Sequence, residues 1–411
     1  MRSISALQIA KYRKRALTVV ANSVNSLLLP VFNIVVSFLV IRFASVELWG
    51  EFVNLLIIAQ FGAHIVSWGN KEYLLRRFSF NPARIAAAWQ TSFITRLALF
   101  ALLSLVLLLA GFSRQRTLLM ILWSFSLVFY QSYEVVILYN RAFVFAALVE
   151  LSALALPLAA ITILGPRLAV DHLLWLFGLT TLAKALVFLV RFRRQTVSGL
   201  RTVRLDRFQP GYFRLAFPFF LLGFSGLLQS RIDLYAVNYF LSERDVGQYQ
   251  VFINFMIYLQ ALAAFTLLPF VKSIYRLSYR AILKISMRLF GLGIVIVVPA
   301  LAVAHLALTR FYHFQLPFHF LVFGGLFALP VYFYSPVIYG LFKANQESVV
   351  IKVSFLGAGI NFLLNVILLP QVGLVGAIIA SAAVQWLTFF IYLGQSRALR
   401  AEDALMMPGL P

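Results

Sequence analysis

Six ionisable side chains stand inside long apolar stretches of the sequence: Arg96, Glu134, Glu150, Lys184, Arg231 and Asp233. Charge in such a setting is expensive, faces the interior of a helix bundle and marks function by default. Arginine presents a rigid fork of donors to an anion, and lysine presents a point charge. A desolvated carboxylate holds its proton more tightly than in water, so Glu134, Glu150 and Asp233 could carry a coupling proton or Na⁺. The plainer reading is that each cation is paired with one of these acids and is thereby tolerated in lipid. Arg231 and Asp233 are two residues apart and do not share a helix face, so they should find different partners or sit in an unwound turn. Hydroxyls and amides surround the charges in sequence: Asn33, Thr95, Tyr130, Gln131, Tyr133, Thr180 and Thr181.

The elements that must carry these groups are membrane helices. Of 411 residues 62% are hydrophobic and 12% charged, with a mean hydropathy of +0.91; a soluble domain averages about 25% charged residues. A spanning helix needs about 20 mainly apolar residues. Twelve such stretches are expected, at 16–41, 50–69, 86–111, 117–139, 142–164, 171–190, 212–241, 249–270, 285–309, 317–341, 349–369 and 373–394. The first is too long for the apolar region of a signal peptide and should remain as a span. The basic segment 191–211, with Ser198-Gly199 and Pro210-Gly211, reads as a cytoplasmic linker between an N-terminal six-helix bundle (1–190) and a C-terminal one (212–395), with a tail at 396–411. Prolines at 30, 157, 218, 269, 299 and 330 should kink spans or mark their ends.

Orientation follows from lysine and arginine. With the N-terminus inside, 26 basic residues fall on the cytoplasmic side and six on the other. That is a strong positive-inside bias and supports an even number of spans. The net charge of +22 is then the charge of loops facing anionic lipid, so no nucleic-acid partner is expected. There is no cysteine, hence no disulfide or thiolate chemistry, and nothing resembles a metal cluster, a nucleophile with its base or a phosphate loop. A faint repeat aligns 44–52 with 241–249 at an offset of 197, matching Ser45 with Ser242, Gly50 with Gly247 and Phe52 with Tyr249. Two halves of six spans share one orientation, the arrangement of a parallel repeat.

Three motifs carry a resemblance. They are Arg231-Ile-Asp233 leading to Leu241-Ser-Glu-x-x-Val-Gly247-x-Tyr249, its counterpart ending Trp49-Gly50-x-Phe52, and Gly359-Ile-Asn361-Phe-Leu-Leu-Asn365 leading to Leu369-Pro370-Gln-Val-Gly373-Leu-Val-Gly376-Ala-Ile-Ile-Ala380. Together they resemble the polysaccharide biosynthesis flippases of the Wzx type, in the superfamily that also holds the MATE exporters and the lipid II flippases. The resemblance implies an all-α integral membrane protein with about twelve transmembrane helices. These would form two pseudo-symmetric six-helix bundles around a central cavity. It implies alternating access and passage of an undecaprenyl-pyrophosphate-linked oligosaccharide to the outer leaflet of the bacterial inner membrane. Such a protein would have both termini in the cytoplasm and no cofactor beyond possible H⁺ or Na⁺ coupling. Its partners would be the lipid-linked substrate, membrane lipids, and the polysaccharide polymerase and chain-length machinery. On that reading Arg96, Lys184 and Arg231 meet the pyrophosphate, and Asn33, Tyr130 and Gln131 belong to the sugar-contacting wall. Glu134, Glu150 and Asp233 serve coupling or charge balance.

In physical terms Asn361 and Asn365, one turn apart, can hydrogen-bond across helices, and Gly376 and Ala380 offer a small-residue face. Pro370 and Gly373 are expected to form a tight turn outside the membrane, and the Ser-Glu-x-x-Val-Gly segment at 242–247 to be an exit turn without chemistry. His64 and His305 are expected to be satisfied helix contacts. A MATE-like cation-coupled exporter is the nearest alternative, although the intramembrane acids do not outnumber the bases. A glycan polymerase or ligase should carry a long external loop, which this sequence lacks. A scaffold for glycan-assembly partners would need no charged interior at all.

Overall fold

The computed structural model describes residues 31–196, 209–267, 274–275, 277–344 and 346–406, without the side chains of 265 and 397–406. The expected start of the first span with Pro30, the middle of the linker, and Pro269 lie outside the described residues. The described residues are helical with no strand. In chain order the helices are α1 (Val31–Phe43), α2 (Val46–Ser67), α3 (Asn70–Phe80), α4 (Ile85–Leu109), α5 (Arg114–Asn140), α6 (Phe143–Leu164) and α7 (Val170–Thr196). They continue with α8 (Gly211–Phe240), α9 (Glu243–Leu267), α10 (Tyr279–Arg310), α11 (Phe318–Ala328), α12 (Pro330–Lys343), α13 (Glu347–Val372) and α14 (Leu374–Met406).

Ten segments among the described residues are long and apolar enough to cross a membrane, α2 with α3 and α11 with α12 each counting as one. The 25-residue α9 has spanning length but carries Gln248, Gln250, Asn254 and Gln260. The remaining candidate is α1. Polarity is inverted relative to a soluble protein. On α4, Gln90, Thr91, Ser92, Thr95 and Arg96 are buried, whereas Leu102, Leu105, Val106 and Leu109 are exposed. That distribution suits a helix whose outer face meets hydrocarbon and whose polar groups are satisfied inside the bundle.

Helix ends have local causes. Ser45, Ser113 and Ser278 are N-caps, each accepting from a backbone N–H three residues on, at 3.1, 3.3 and 3.4 Å. Ser242 and Asp245 form a reciprocal cap: Ser242 Oγ donates to the Asp245 carboxylate at 2.6 Å, and Asp245 N–H donates back to Ser242 Oγ at 3.3 Å. The segment 242–247 is therefore not an exit turn. It is the capped first turn of α9, which starts six residues earlier than expected. The offset repeat of 197 is also explained, since Ser45 and Ser242 both cap and Phe52 and Tyr249 are both fully buried about two turns further on.

Pro370 corrects a second expectation. It lies within α13, whose end is set by Gly373 at φ 60°. The small-residue face is confirmed at Gly376, where a Cβ would come within 2.8 Å of the Leu368 backbone. Pro330, at the first position of α12, breaks the 317–341 span as expected, and Pro157, Pro218 and Pro299 lie inside α6, α8 and α10. Pro336, inside α12, joins them.

The chain divides into two compact units, Met1–Phe224 and Ser225–Pro411, the change falling inside α8. In the first, α5 is central and packs on α2, α3, α4 and α7. Trp123 stacks on Phe52 at 5.5 Å, and Tyr133, Trp89, Phe188 and Phe192 build a second core nearer the end of α5. Between α2 and α3 the chain breaks at Trp68 and Gly69, both with left-handed φ (45° and 66°). Gly69 is required there, because a Cβ would lie 2.5 Å from the Phe220 backbone nitrogen. Trp68 stacks on Phe220 at 4.2 Å, and its Nε1 donates to the Phe213 carbonyl at 3.0 Å. In the second unit α10 packs on α12, and α13, α11 and α12 on α14, around Tyr332, Phe333, Val337, Leu341 and Tyr392.

Candidate functional site: buried charge in each unit

Five consecutive residues of α5, Tyr130 to Glu134, reach five neighbouring helices. A helix turns about 100° per residue, so a run of five visits every side. The Tyr130 hydroxyl donates to Glu150 Oε1 on α6, and Lys184 on α7 donates to Glu150 Oε2 at 3.0 Å. The Lys184 ammonium also sits 4.6 Å from the centre of the Tyr130 ring. Gln131 accepts from Ser67 at the end of α2. Ser132 Oγ accepts from Arg96 on α4 at 2.8 Å, while its carbonyl accepts from Trp89 Nε1. The Tyr133 ring fills the core. Glu134 pairs with Lys71 on α3 at 3.3 Å.

These contacts separate the expected charges into three kinds. Glu150 and Lys184, with side chains 11% and 13% exposed, are a true buried pair. A pair at that depth is stable only when its remaining hydrogen-bonding capacity is met, and Tyr130 meets part of it. Glu134 is different from the expectation. Its side chain is 34% exposed and its partner, Lys71, lies outside the expected spans, so it belongs to the end of the bundle rather than its depth. The reason is that α3 continues the second span as a helix and brings Lys71 alongside α5.

Arg96 is the third kind. It is 1% exposed, forms no ion pair among the described residues, and its Nε and Nη1 have no hydrogen-bond partner there. Other buried polar groups of α4 have partners: Ser92 donates to Asn70, Thr95 accepts from the Gln209 N–H at 3.1 Å, and Gln90 donates to the Thr196 carbonyl at 2.7 Å. A buried guanidinium without a carboxylate is costly.

In the second unit Arg231 and Asp233 diverge, as two residues on one helix must. Arg231, part-buried, donates to the Asn254 side chain of α9 at 3.2 Å. Asp233 is buried and accepts from Tyr249 Oη at 2.6 Å, Ser381 Oγ at 3.0 Å and its neighbour's Leu234 N–H at 2.8 Å. The network continues through Asn361, which donates to Ser381 Oγ at 3.3 Å, and Asn365, which donates to Asn361. Two motifs that are 128 positions apart at Asp233 and Asn361 are thus one site, shared by α8, α9, α13 and α14. Asn365 Oδ1 is buried there without a donor among the described residues.

The structure brings Tyr130, Glu150 and Lys184 together and keeps Arg231 from Asp233. Asn33 is part-buried on α1. Thr95, Thr180 and Thr181 are buried. His64 lies against Phe220 and Phe224, and its Nε2 finds no partner among the described residues, so it is not the satisfied contact expected. Sequence reading missed Ser132, Asn254 and Ser381. A serine inside an apolar helix is usually absorbed by its own backbone, and Ser132 indeed also donates to the Val128 carbonyl at 2.7 Å. The available signal was Asn254 and Ser381 sitting on spans already carrying other polar groups.

No protein-family model and no curated protein sequence matches the chain. Solved structures do. The lipid II flippase MurJ in an inward closed conformation superposes with a TM-score of 0.63 at 12% identity, over 94% of this chain and 91% of MurJ. An inward-facing MATE family multidrug transporter of the MOP superfamily gives 0.61 at 14% identity, over 90% of this chain and 95% of that one. An outward-facing MATE transporter gives 0.61 at 13% identity, over 95% and 96%. The chain has a MATE-like membrane fold. It is a multi-pass membrane protein, and the likeness extends over nearly its whole length.

Proposed function

We propose that the protein is a Wzx-type flippase that moves an undecaprenyl-pyrophosphate-linked oligosaccharide from the inner to the outer leaflet of the bacterial plasma membrane by alternating access, for surface polysaccharide assembly. The observation that carries this reading is Arg96, a buried guanidinium with two nitrogens unpaired among the described residues. A pyrophosphate leaving water must exchange hydration for donors, and a cation already desolvated meets that need without further desolvation of its own. Arg231 donates to a neutral amide rather than to a carboxylate and serves the same purpose. Lys184 is balanced by Glu150, so its role is to hold a polar wall with Tyr130, a ring and hydroxyl of the kind that contacts sugars. The MATE-like fold supports a transport cycle, and the MurJ likeness makes a lipid-linked cargo the more natural choice.

Asp233 favours a second element of the same reading, coupling to a monovalent cation. Its carboxylate, Ser381 Oγ, Asn361 Oδ1 and Asn365 Oδ1, the last without a donor among the described residues, make an oxygen-rich buried cluster. Such a cluster suits a proton or Na⁺. A cation-coupled exporter of small molecules could use it equally well, but would have no use for the two Arg96 nitrogens left without a partner among the described residues. The test is replacement of Arg96, Lys184 and Arg231 by alanine in the producing cell, with expression checked. Lipid-linked oligosaccharide should accumulate in the inner leaflet. Full surface glycan from all three variants would rule out the cationic path.

A further inference from the structure

At the end of the first unit where α5 and α7 finish and α6 begins, a polar pocket of about 680 Å³ opens. Its rim carries Arg191, Arg193 and Arg194, and its other walls include Asn140, Phe145 and Gln195. No acidic residue lines it, and none of the three arginines forms an ion pair among the described residues. The pocket has a built wall. Asn140 Nδ2 donates to Gln195 Oε1 at 2.7 Å, and Gln195 Nε2 donates back to Asn140 Oδ1 at 3.1 Å. This reciprocal amide pair fixes the end of α7 against the end of α5. Arg191 is steadied over the rings of Phe145 and Phe192, at 5.8 and 5.7 Å.

One edge of the pocket is apolar and faces outward. Val190 lines it and is 68% exposed; Val187 on α7 and Val144 and Leu148 on α6 are exposed as well. A cluster of arginines over a strip of outward-facing aliphatic side chains matches a ligand with an anionic head and a hydrocarbon body. We propose that this pocket binds the phosphate headgroup of an anionic membrane phospholipid, whose acyl chains lie along the exposed faces of α6 and α7. The chain's own continuation is a poor occupant by charge. Residues 197–208 bring Arg201, Arg204 and Arg207 against a single acid, Asp206. A free phosphate would satisfy the arginines but leave the aliphatic strip without a function. The site is separate from the buried charges of the translocation reading and does not depend on it.

The experiment is lipid titration of the purified full chain in detergent, read by native mass spectrometry with phosphatidylglycerol and, separately, phosphatidylcholine. A single saturable phosphatidylglycerol site is expected, with weaker retention of phosphatidylcholine. Arg193→Gln with Arg194→Gln should weaken phosphatidylglycerol by about tenfold or more, the loss expected for two charge-assisted contacts. Gln195→Glu leaves the arginines in place and puts a carboxylate among them, and should do the same. Asn140→Leu removes the amide pair without changing charge; a comparable loss, with thermal stability retained, marks a shaped site rather than diffuse attraction. Equal retention of the two lipids, or phosphatidylglycerol binding unchanged in the double arginine and Gln195→Glu variants, would overturn the proposal. So would displacement of the lipid by inorganic phosphate alone, which would make this a free-phosphate site.

Discussion

Exchange of Lys184 for methionine should destabilise the first unit strongly, and a second exchange, Glu150→Gln, should restore most of what is lost. The two side chains are 13% and 11% exposed and 3.0 Å apart. Removing one member of a buried pair typically costs about 3–5 kcal/mol, because the other charge is left uncompensated. The slight exposure places Lys184→Met near the lower end, about 3 kcal/mol. Glu150→Gln alone should cost less, about 1–2 kcal/mol, since Lys184 keeps the Tyr130 ring at 4.6 Å and an amide oxygen as acceptor. Replacing both charges with neutral groups of similar size is often close to neutral. The double variant should therefore be more stable than Lys184→Met. Unfolding of the detergent-solubilised protein, followed by tryptophan fluorescence, measures the three differences. Additive losses would refute the reasoning, because they would mean that the two residues do not compensate one another. Translocation by the rescued double variant then separates roles: activity restored with stability marks a structural pair, and activity still absent marks a wall that the cargo reads.

Other consequences concern local structure and coupling. Ser242→Ala should cost about 1 kcal/mol by opening the reciprocal cap of α9, visible as a lowered unfolding midpoint, and Asp245→Ala should reproduce it. Gly376→Ala should lower stability by about 1–3 kcal/mol because its Cβ would press on the Leu368 backbone; Gly359→Ala, with nothing within 4 Å, should be neutral in the same melt. Asp233→Asn keeps an acceptor for Tyr249 and Ser381, so the protein should fold, but its transport should lose dependence on an imposed H⁺ or Na⁺ gradient in proteoliposomes.

Much of this architecture was legible because the bilayer imposes simple rules. Length, apolarity and the bias of lysine and arginine locate spans without any knowledge of partners. The divergence of Arg231 from Asp233 follows from helix geometry alone, and the structure gives them Asn254 and Tyr249 as separate neighbours. Tertiary pairing was less accessible. Glu150 could have met any of three intramembrane cations, and only the packing of α6 on α7 selects Lys184. Glu134 reads as deep from its place inside the 117–139 stretch; the Trp68-Gly69 break, after which α3 continues as a helix and brings Lys71 alongside it, has no strong sequence signature. Ser242 was read as part of a turn when it caps a helix, since serine favours both positions. The joining of Asp233 to Asn361 through Ser381 required the fold itself.

The central claim is that the buried guanidinium of Arg96, two of whose nitrogens have no partner among the described residues, receives the pyrophosphate of a lipid-linked saccharide. Its most direct measurement is the rate at which purified protein in proteoliposomes exposes a labelled undecaprenyl-pyrophosphate-linked saccharide to the opposite leaflet. Arg96→Gln should reduce that rate by about two orders of magnitude, as expected if a charge-assisted contact of roughly 3 kcal/mol is lost in the rate-limiting state, with the unfolding midpoint maintained or raised. An unchanged rate in a folded Arg96→Gln protein would contradict the account.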